Sequence, residues 1–180
     1  MYFCSLFKST AMHISDEFNA IVAYAREEAM RTGCYSITPD HLFLGILRHR
    51  GSLAADIILK KGIDQAELRK NVESTVFRER SIPYNEEEKV SLDRDAANVL
   101  SKAMFEASKT GSASADSRHL LMALCQTTKC RAMHVLEGFG INYDTVASGF
   151  SEQVRKKDPG KESKPRILGT FSVKAPEICS

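Results

Sequence analysis

The feature that most constrains the fold is an internal repeat with a period of 78 residues. When Gly33 is aligned with Gly111, residues 14–76 pair with residues 92–154 without a gap. Many positions that differ in identity are apolar in both copies. The identical pairs include Ala25/Ala103, Glu28/Glu106, Thr32/Thr110, His41/His119, Leu42/Leu120 and Gly62/Gly140. Because identity and apolar register are kept together over this span, the sequence predicts a duplicated structural unit.

Each copy has the pattern of four helices. In the first copy, apolar residues between 14 and 29 recur every three or four positions, which places them on one helix face. Gly33 is expected to end this helix, since glycine readily takes a positive φ. The residues expected at helix N-caps are Ser15, Thr38 and Asp64, followed in the second copy by Asp116 and Asn142, and the third helix is expected to start at about Ser52. The sequence therefore predicts an all-α fold in which two pseudo-repeated four-helix units form one compact helical domain.

The rest of the chain is organised around this domain. The copies are expected to occupy residues 14–78 and 92–156, joined by an exposed charged loop that contains Pro83 and three consecutive glutamates. Residues 1–13 are predicted to be an N-terminal extension, and Met12 is an alternative start. Residues 157–180 are polar and interrupted by proline and glycine, so a flexible tail or linker is expected there.

Composition excludes several classes of protein. With 25 Lys and Arg against 23 Asp and Glu, the net charge is +2, which is not that of a strongly basic nucleic-acid binder. No apolar run approaches the ~20 residues of a membrane-spanning helix. Five cysteines without a secretory signal indicate reduced thiols and a cytoplasmic protein. The sequence contains neither a phosphate-binding G-x-x-x-x-G-K-[ST] motif nor a G-x-S-x-G nucleophile motif.

The paired motifs of the two copies resemble the Clp N-terminal (Clp repeat) domain of the Clp-type AAA+ unfoldases, in particular the ClpC-type version. The likeness extends over about residues 14–156. The residues that carry it are Ala25-Arg26-Glu27-Glu28-Ala29, Gly33 and Thr38-Pro39-Asp40-His41-Leu42 in the first copy, with Glu106-Ala107, Gly111 and Arg118-His119-Leu120-Leu121 in the second.

The resemblance implies a protein without catalytic activity or cofactor. Such domains bind protein substrates or adaptor proteins and pass them to an attached ATPase ring and its peptidase. Because this sequence has no ATPase motif, it is either a front domain of a longer chain or a free-standing regulator that docks on a separate Clp ring. Neither a nucleic-acid nor a membrane partner is expected.

The resemblance also implies a small pocket for phosphorylated arginine in each copy. A hydroxyl at the start of the first helix and a carboxylate just before the histidine would form it. In the first copy the matching residues are Ser15 and Asp40. In the second they are Asp93 and Arg118, which would repel phosphate and guanidinium respectively, so at most one weak site is expected. The structural alternative is that Ser15 is an N-cap and Asp40 an ordinary acidic residue of a first turn.

Histidines and cysteines give two further hypotheses. His41 and His119 precede buried helix faces, so hydrogen-bonded structural roles are expected for both. Cys125, Cys130 and His134 loosely match metal-ligand spacing, which leaves a small metal protein as an alternative. Since Cys125 aligns with an apolar core position and no fourth ligand is evident, the prediction is that the chain binds no metal.

Overall fold

The computed structural model describes residues 13–78, 80–128 and 130–149. The first copy forms two very short strands and four helices. These elements are β1 (His13–Ile14), α1 (Asp16–Thr32), β2 (Ser36–Ile37), α2 (Pro39–Arg48), α3 (Leu53–Lys60) and α4 (Gln65–Val76). The predicted extension before residue 13 and the predicted tail at 157–180 lie outside the described residues.

The second copy repeats this order with the predicted offset. Its elements are β3 (Ser91–Leu92), α5 (Arg94–Lys109), β4 (Ser114–Ala115), α6 (Ser117–Cys125), α7 (Arg131–Gly138) and a helix, α8, over 143–149. Each of these elements begins 78 positions after its counterpart, and α5, α6 and α7 also end within one residue of the equivalent position. The fold class predicted from the sequence is confirmed, since the described chain is mainly helical and its core is made by helices.

The four strands were not anticipated from the sequence. Each has two residues and pairs in parallel with a strand of the other copy, β1 with β4 and β2 with β3. Ile14 lies opposite Ala115, and Ile37 lies opposite Leu92. The offset of 78 converts one pairing into the other, so the two copies are related by a pseudo-twofold arrangement. These pairings also fix which helix starts are neighbours across the copies.

A single hydrophobic core runs through both copies. Helices α1 and α2 pack together, as do α5 and α6, while α2 also contacts α5, α6 and α7. Every residue of α2 from Pro39 to Leu47 is buried, which confirms the prediction of a central helix. Burying each large aliphatic side chain of this core contributes roughly 1.5–3 kcal/mol. Because the apolar faces of the two halves meet, neither half is complete without the other.

The helix ends follow the predicted caps. The Ser15 side chain accepts a hydrogen bond from the Phe18 amide at 3.1 Å, and Ser52 accepts one from the Ala55 amide at 3.0 Å. Asn142 accepts one from the Thr145 amide at 2.9 Å. Such caps typically contribute about 1 kcal/mol each.

The join between the copies differs from the expected exposed loop. It contains a 3₁₀ helix at Tyr84–Lys89, and the flanking residues Ile82 and Val90 are buried. The Ile82 amide donates to the carbonyl of Met30 at 2.8 Å, which fastens the join to the end of α1. Its glutamates do remain at the surface. In the part of the chain that the structure describes, no helix is both long and apolar enough to span a membrane.

Candidate functional site

The β1–β4 pairing brings three helix N-termini together, at a place that we call the α1/α6/α3 junction. The Ser15 amide donates to the Ala115 carbonyl at 3.0 Å, so α1 and α6 begin side by side. The Glu17 carboxylate accepts hydrogen bonds from the Ser117 hydroxyl at 2.7 Å and from the Leu53 amide at 2.9 Å. Because helix N-termini carry free N–H groups and a partial positive charge, Glu17 is well placed to stabilise this meeting of helices.

The β2–β3 pairing creates the corresponding α2/α5/α7 junction. The Asp93 amide donates to the Ile37 carbonyl at 3.0 Å, so α2 and α5 begin side by side. Asp40 is 94% buried here, as its exposed fraction is 6%. Its Oδ1 atom accepts hydrogen bonds from the Ala132 amide at 2.8 Å and from the Cys130 thiol at 3.3 Å. Asp40 of the first copy therefore caps α7 of the second.

The second oxygen of Asp40 differs from the first. Within the described residues, Oδ2 of Asp40 has no hydrogen-bond partner at all. Buried polar atoms in folded proteins are nearly always hydrogen-bonded, so a buried carboxylate oxygen without a partner calls for a physical explanation. One acceptor atom at this junction therefore has no donor among the described residues.

The structure does not bring the two predicted ligand residues, Ser15 and Asp40, into one pocket. Ser15 begins α1, whose 17 residues span about 25 Å. Asp40 lies at the other end of that helix, since the neighbouring His41 contacts Thr32 in the last turn of α1. Ser15 instead faces the start of α6, and Asp40 faces the starts of α5 and α7. The sequence analysis placed Ser15 and Asp40 in one pocket because they belong to the same copy. In the structure, the strand pairings place each of them beside residues of the other copy.

Arg118 and Asp93, the residues predicted to spoil the second pocket, have structural partners. The Arg118 guanidinium contacts the Asp116 carboxylate at 2.5, 3.1 and 3.3 Å. Burial disfavours the charged carboxylate, but hydrogen bonds from the His119 backbone amide and the Arg118 guanidinium outweigh it and hold the pKa of Asp116 well below its usual range. Asp93 accepts from the Arg94 amide at 2.7 Å as the N-cap of α5.

Both histidines have the structural roles that the sequence predicted. His41 is fully buried; its Nδ1 accepts from the Thr38 amide at 3.0 Å, so Nε2 carries the proton and donates to the Thr32 hydroxyl at 3.0 Å. Burial lowers the pKa of His41 to about 4, and it is neutral at pH 7. His119 makes the matching contacts with the Asp116 amide and the Thr110 hydroxyl.

A buried glutamate network was missed by the sequence analysis. The Glu28 carboxylate is 1% exposed and contacts three arginines, Arg31 at 2.7 Å, Arg69 at 2.9 Å and Arg48 at 3.2 Å. Burial raises its pKa, but the hydrogen bond from Arg31 and the charge of Arg69 outweigh burial, so the pKa is lowered overall. The sequence signal that could have pointed to Glu28 is that the equivalent position of the second copy, Glu106, is also a glutamate. The arginines could not be assigned because two of them lie 20 and 41 residues away.

The proposed metal ligands do not form a metal centre. Burial raises the pKa of the Cys125 thiol to about 12, and burial together with the charge of Asp40 raises that of Cys130, so both thiols are protonated at pH 7. His134 is at the surface. Over residues 13–78, 80–128 and 130–149, no group of three or more His, Cys, Asp or Glu side chains is placed to hold a metal ion. The metal-protein alternative therefore has no structural support.

Comparison with known proteins agrees with the duplicated architecture. A family model described as the Clp repeat (R) N-terminal domain matches residues 13–139 and 93–170. The chain is 28% identical over 143 residues to the negative regulator of genetic competence ClpC/MecB of Bacillus subtilis (strain 168), which is 79% of this chain and 17% of that protein. The chain spans about a sixth of the length of the curated relatives it matches.

Solved structures show the same fold. The N-terminal domain of Hsp104 from Candida albicans has a TM-score of 0.64 at 15% identity, over 79% of this chain and 91% of that one. The N-domain of ClpV from Vibrio cholerae has a TM-score of 0.65 at 14% identity, over 77% of this chain and 83% of that one. At these identities the likeness concerns the arrangement of the helices.

Proposed function

Since the chain belongs to the Clp repeat N-terminal domain family, we propose that it is a non-catalytic module that binds protein substrates or adaptors for an ATP-dependent Clp unfoldase or protease. The observation that carries the proposal is the duplicated helical unit itself, whose copies interlock through reciprocal strand pairs over the residues that the family model matches. The residues of the described core form hydrogen-bonded, structural arrangements rather than a catalytic constellation.

The energy for unfolding would come from another protein or another part of a longer chain. The sequence has no phosphate-binding loop for ATP. The module would therefore recruit proteins to an ATPase ring, either as its front domain or as a free-standing regulator that docks on a separate ring. We place it in the cytoplasm, which the free thiols of Cys34, Cys125 and Cys130 support.

A capture experiment tests this function and distinguishes its two forms. The full chain is immobilised and native lysate is passed over it, with an unrelated helical protein of similar charge as the control bait. Enrichment of substrates or adaptors supports the module, and enrichment of a Clp ATPase ring supports docking by a free-standing regulator. The intact mass of the native gene product shows whether the chain is part of a longer protein. If nothing is enriched over the control bait, the proposed function is wrong.

For the ligand residues we propose separate roles in the two junctions. Asp40 would contact the guanidinium of an arginine or phosphoarginine side chain through its free Oδ2 atom, since a carboxylate and a guanidinium form charge-assisted hydrogen bonds. Ser15 would contribute to an anion site at the start of α1, where helix N–H groups favour negative charge. Because the two residues lie in different junctions, one phosphoarginine side chain would contact either Asp40 or Ser15.

Calorimetry with phosphoarginine, arginine and inorganic phosphate separates these roles. Asp40→Asn keeps an oxygen for the Ala132 amide but removes the charge, so it is expected to abolish binding of both arginine compounds. Ser15→Ala is expected to weaken only the phosphate-containing ligands. Equal binding of all three compounds by the wild type and Asp40→Asn would exclude Asp40 as a ligand.

A further inference from the structure

A polar groove lies along the outer face of α5 and has no role in the interactions described above. It has a volume of about 360 Å³ and is bounded by α5 and by the residues that follow α6. We call it the α5/α6 groove. Its lining residues are Asp95, Asn98, Ser101, Lys102, Gln126, Thr127 and Thr128. The volume falls in the usual range of ligand clefts, roughly 300–1,000 Å³, but the lining is much more polar than that of a cofactor site.

The lining of the groove offers both hydrogen-bond acceptors and hydrogen-bond donors. The hydroxyls of Ser101 and Thr127 donate to the carbonyls of Ala97 and Ala123, each at 3.0 Å, so their oxygens remain available as acceptors. The Gln126 side-chain nitrogen donates to Glu106 at 2.9 Å, which leaves the amide oxygen of Gln126. Asn98 and Lys102 add N–H donors to this lining. A ligand must therefore supply both N–H and C=O groups, and an extended polypeptide backbone supplies both at regular intervals.

Lys102 adds one positive charge to this surface. It is exposed, and among the described residues its ammonium donates to the Gln126 carbonyl alone, at the long distance of 3.5 Å. An ammonium has three donors, so Lys102 can also bind a carboxylate. One lysine and one aspartate give no net positive field, which disfavours a nucleic-acid backbone as the ligand.

The corresponding surface of the first copy is filled by its own side chains. The positions equivalent to Lys102, Gln126 and Thr127 are Tyr24, Arg48 and His49. The Arg48 guanidinium lies 5.0 Å from the centre of the Tyr24 ring, and the rings of Tyr24 and His49 are 5.9 Å apart. In the second copy Lys102, Gln126 and Thr127 replace these three stacked side chains. Because they do not stack in this way, the groove in the second copy is open.

We propose that the α5/α6 groove binds an extended polar segment of a protein partner, with an acidic side chain of that segment paired to Lys102. This inference rests on the proposed function, because it names the surface through which the module holds a protein.

The test uses the isotopically labelled full chain and the peptide Ac-Ser-Asn-Glu-Ser-Asn-Gly-amide, followed by NMR titration. Saturable shifts are expected at the lining residues of the groove. The peptide with Gln in place of Glu is expected to bind about two- to fivefold more weakly, as for a surface ion pair. Lys102→Met is expected to remove this difference between the two peptides.

Two matched variants complete the design. Ser101→Trp fills the groove and is expected to abolish the shifts, whereas Ala23→Trp, at the equivalent exposed position of the first copy, is expected to leave them unchanged. Shifts that persist in Ser101→Trp, or that occur outside the groove, would overturn the inference, as would the absence of saturable binding. The lysate capture is repeated with Ser101→Trp. If the wild type captures partners and this variant captures the same set, the groove inference fails while the proposed function stands.

Discussion

The two copies share a backbone but hold the same buried glutamate with different chemistry. In the first copy, Glu28 is surrounded by three arginines. In the second, Glu106 accepts from the Gln126 amide and the Tyr143 hydroxyl, both at 2.9 Å, with Lys109 at 3.7 Å. The comparison shows that both copies satisfy the buried carboxylate, with an ionic set of partners in the first and a largely neutral set in the second.

The glycines that end α1 and α5 also differ. Both have positive φ, 80° at Gly33 and 66° at Gly111. A Cβ atom on Gly33 would lie 2.2 Å from the Arg80 carbonyl oxygen, whereas one on Gly111 would have no neighbour within 4 Å among the described residues. The join between the copies passes over the end of α1, whereas no segment within residues 13–78, 80–128 and 130–149 lies over the end of α5. One conserved backbone conformation is thus crowded in the first copy and open in the second.

The largest difference between the copies is expected when Gly33→Ala and Gly111→Ala are compared for their loss of free energy of unfolding. Gly111→Ala has only the cost of a left-handed residue, about 1–2 kcal/mol. Gly33→Ala adds a steric overlap with backbone and is expected to lower the free energy of unfolding by about 3 kcal/mol or more. Urea denaturation of both variants measures this. Equal losses would show that the join moves aside without cost.

Acid is expected to destabilise the protein through His41. Its pKa is about 4 in the folded protein against an ordinary 6.5, so the unfolded chain takes up the proton first as the pH falls. The stability that neutral His41 provides is complete above pH 6.5 and decreases towards pH 4, by about 3 kcal/mol in total. The free energy of unfolding measured across this range tests the expectation. His41→Gln should remove this part of the slope, while His119→Gln should retain it.

Glu28→Gln is expected to destabilise more than Glu106→Gln. The first change leaves three arginines without their shared carboxylate, at a cost of about 2 kcal/mol, moderated because the arginines are partly exposed to solvent. The second keeps a hydrogen-bonding side chain among mainly neutral partners, so about 1 kcal/mol is expected. Thermal unfolding at low and high salt checks the ionic origin, since only the Glu28 difference should decrease as salt rises. A salt-independent difference would contradict it.

The smallest effect is expected from the cross-copy caps. Asp40→Ala removes the acceptor for the Ala132 amide and should cost about 1–2 kcal/mol, while Ser117→Ala removes the acceptor for the equivalent Ala54 amide and should cost about 1 kcal/mol. Hydrogen exchange at each of these amides reports the loss directly. Exchange that accelerates equally throughout the chain, rather than at the start of α7 or α3, would show that the caps are not local.

Much of the fold could be predicted from the sequence because its signals are local or periodic. Ser15 and Ser52 act within three residues of themselves, and the repeat offset locates the second-copy helices from the first. The strands could not be predicted in this way, since each has two residues and its partner lies in the other copy. The Glu28 network depends on contacts 20 and 41 residues distant, which no local pattern encodes.

The sequence by itself determined that this chain is a duplicated helical domain with caps at stated residues, because helix periodicity and capping are properties of short segments. Only the tertiary structure decided which helix starts meet. Two parallel strand pairs place Ser15 beside the start of α6 and Asp40 beside the start of α7, so residues of one copy complete the other. The physical reason is that hydrogen bonds across the pseudo-twofold relation depend on positions in space, which a repeat in the sequence does not specify.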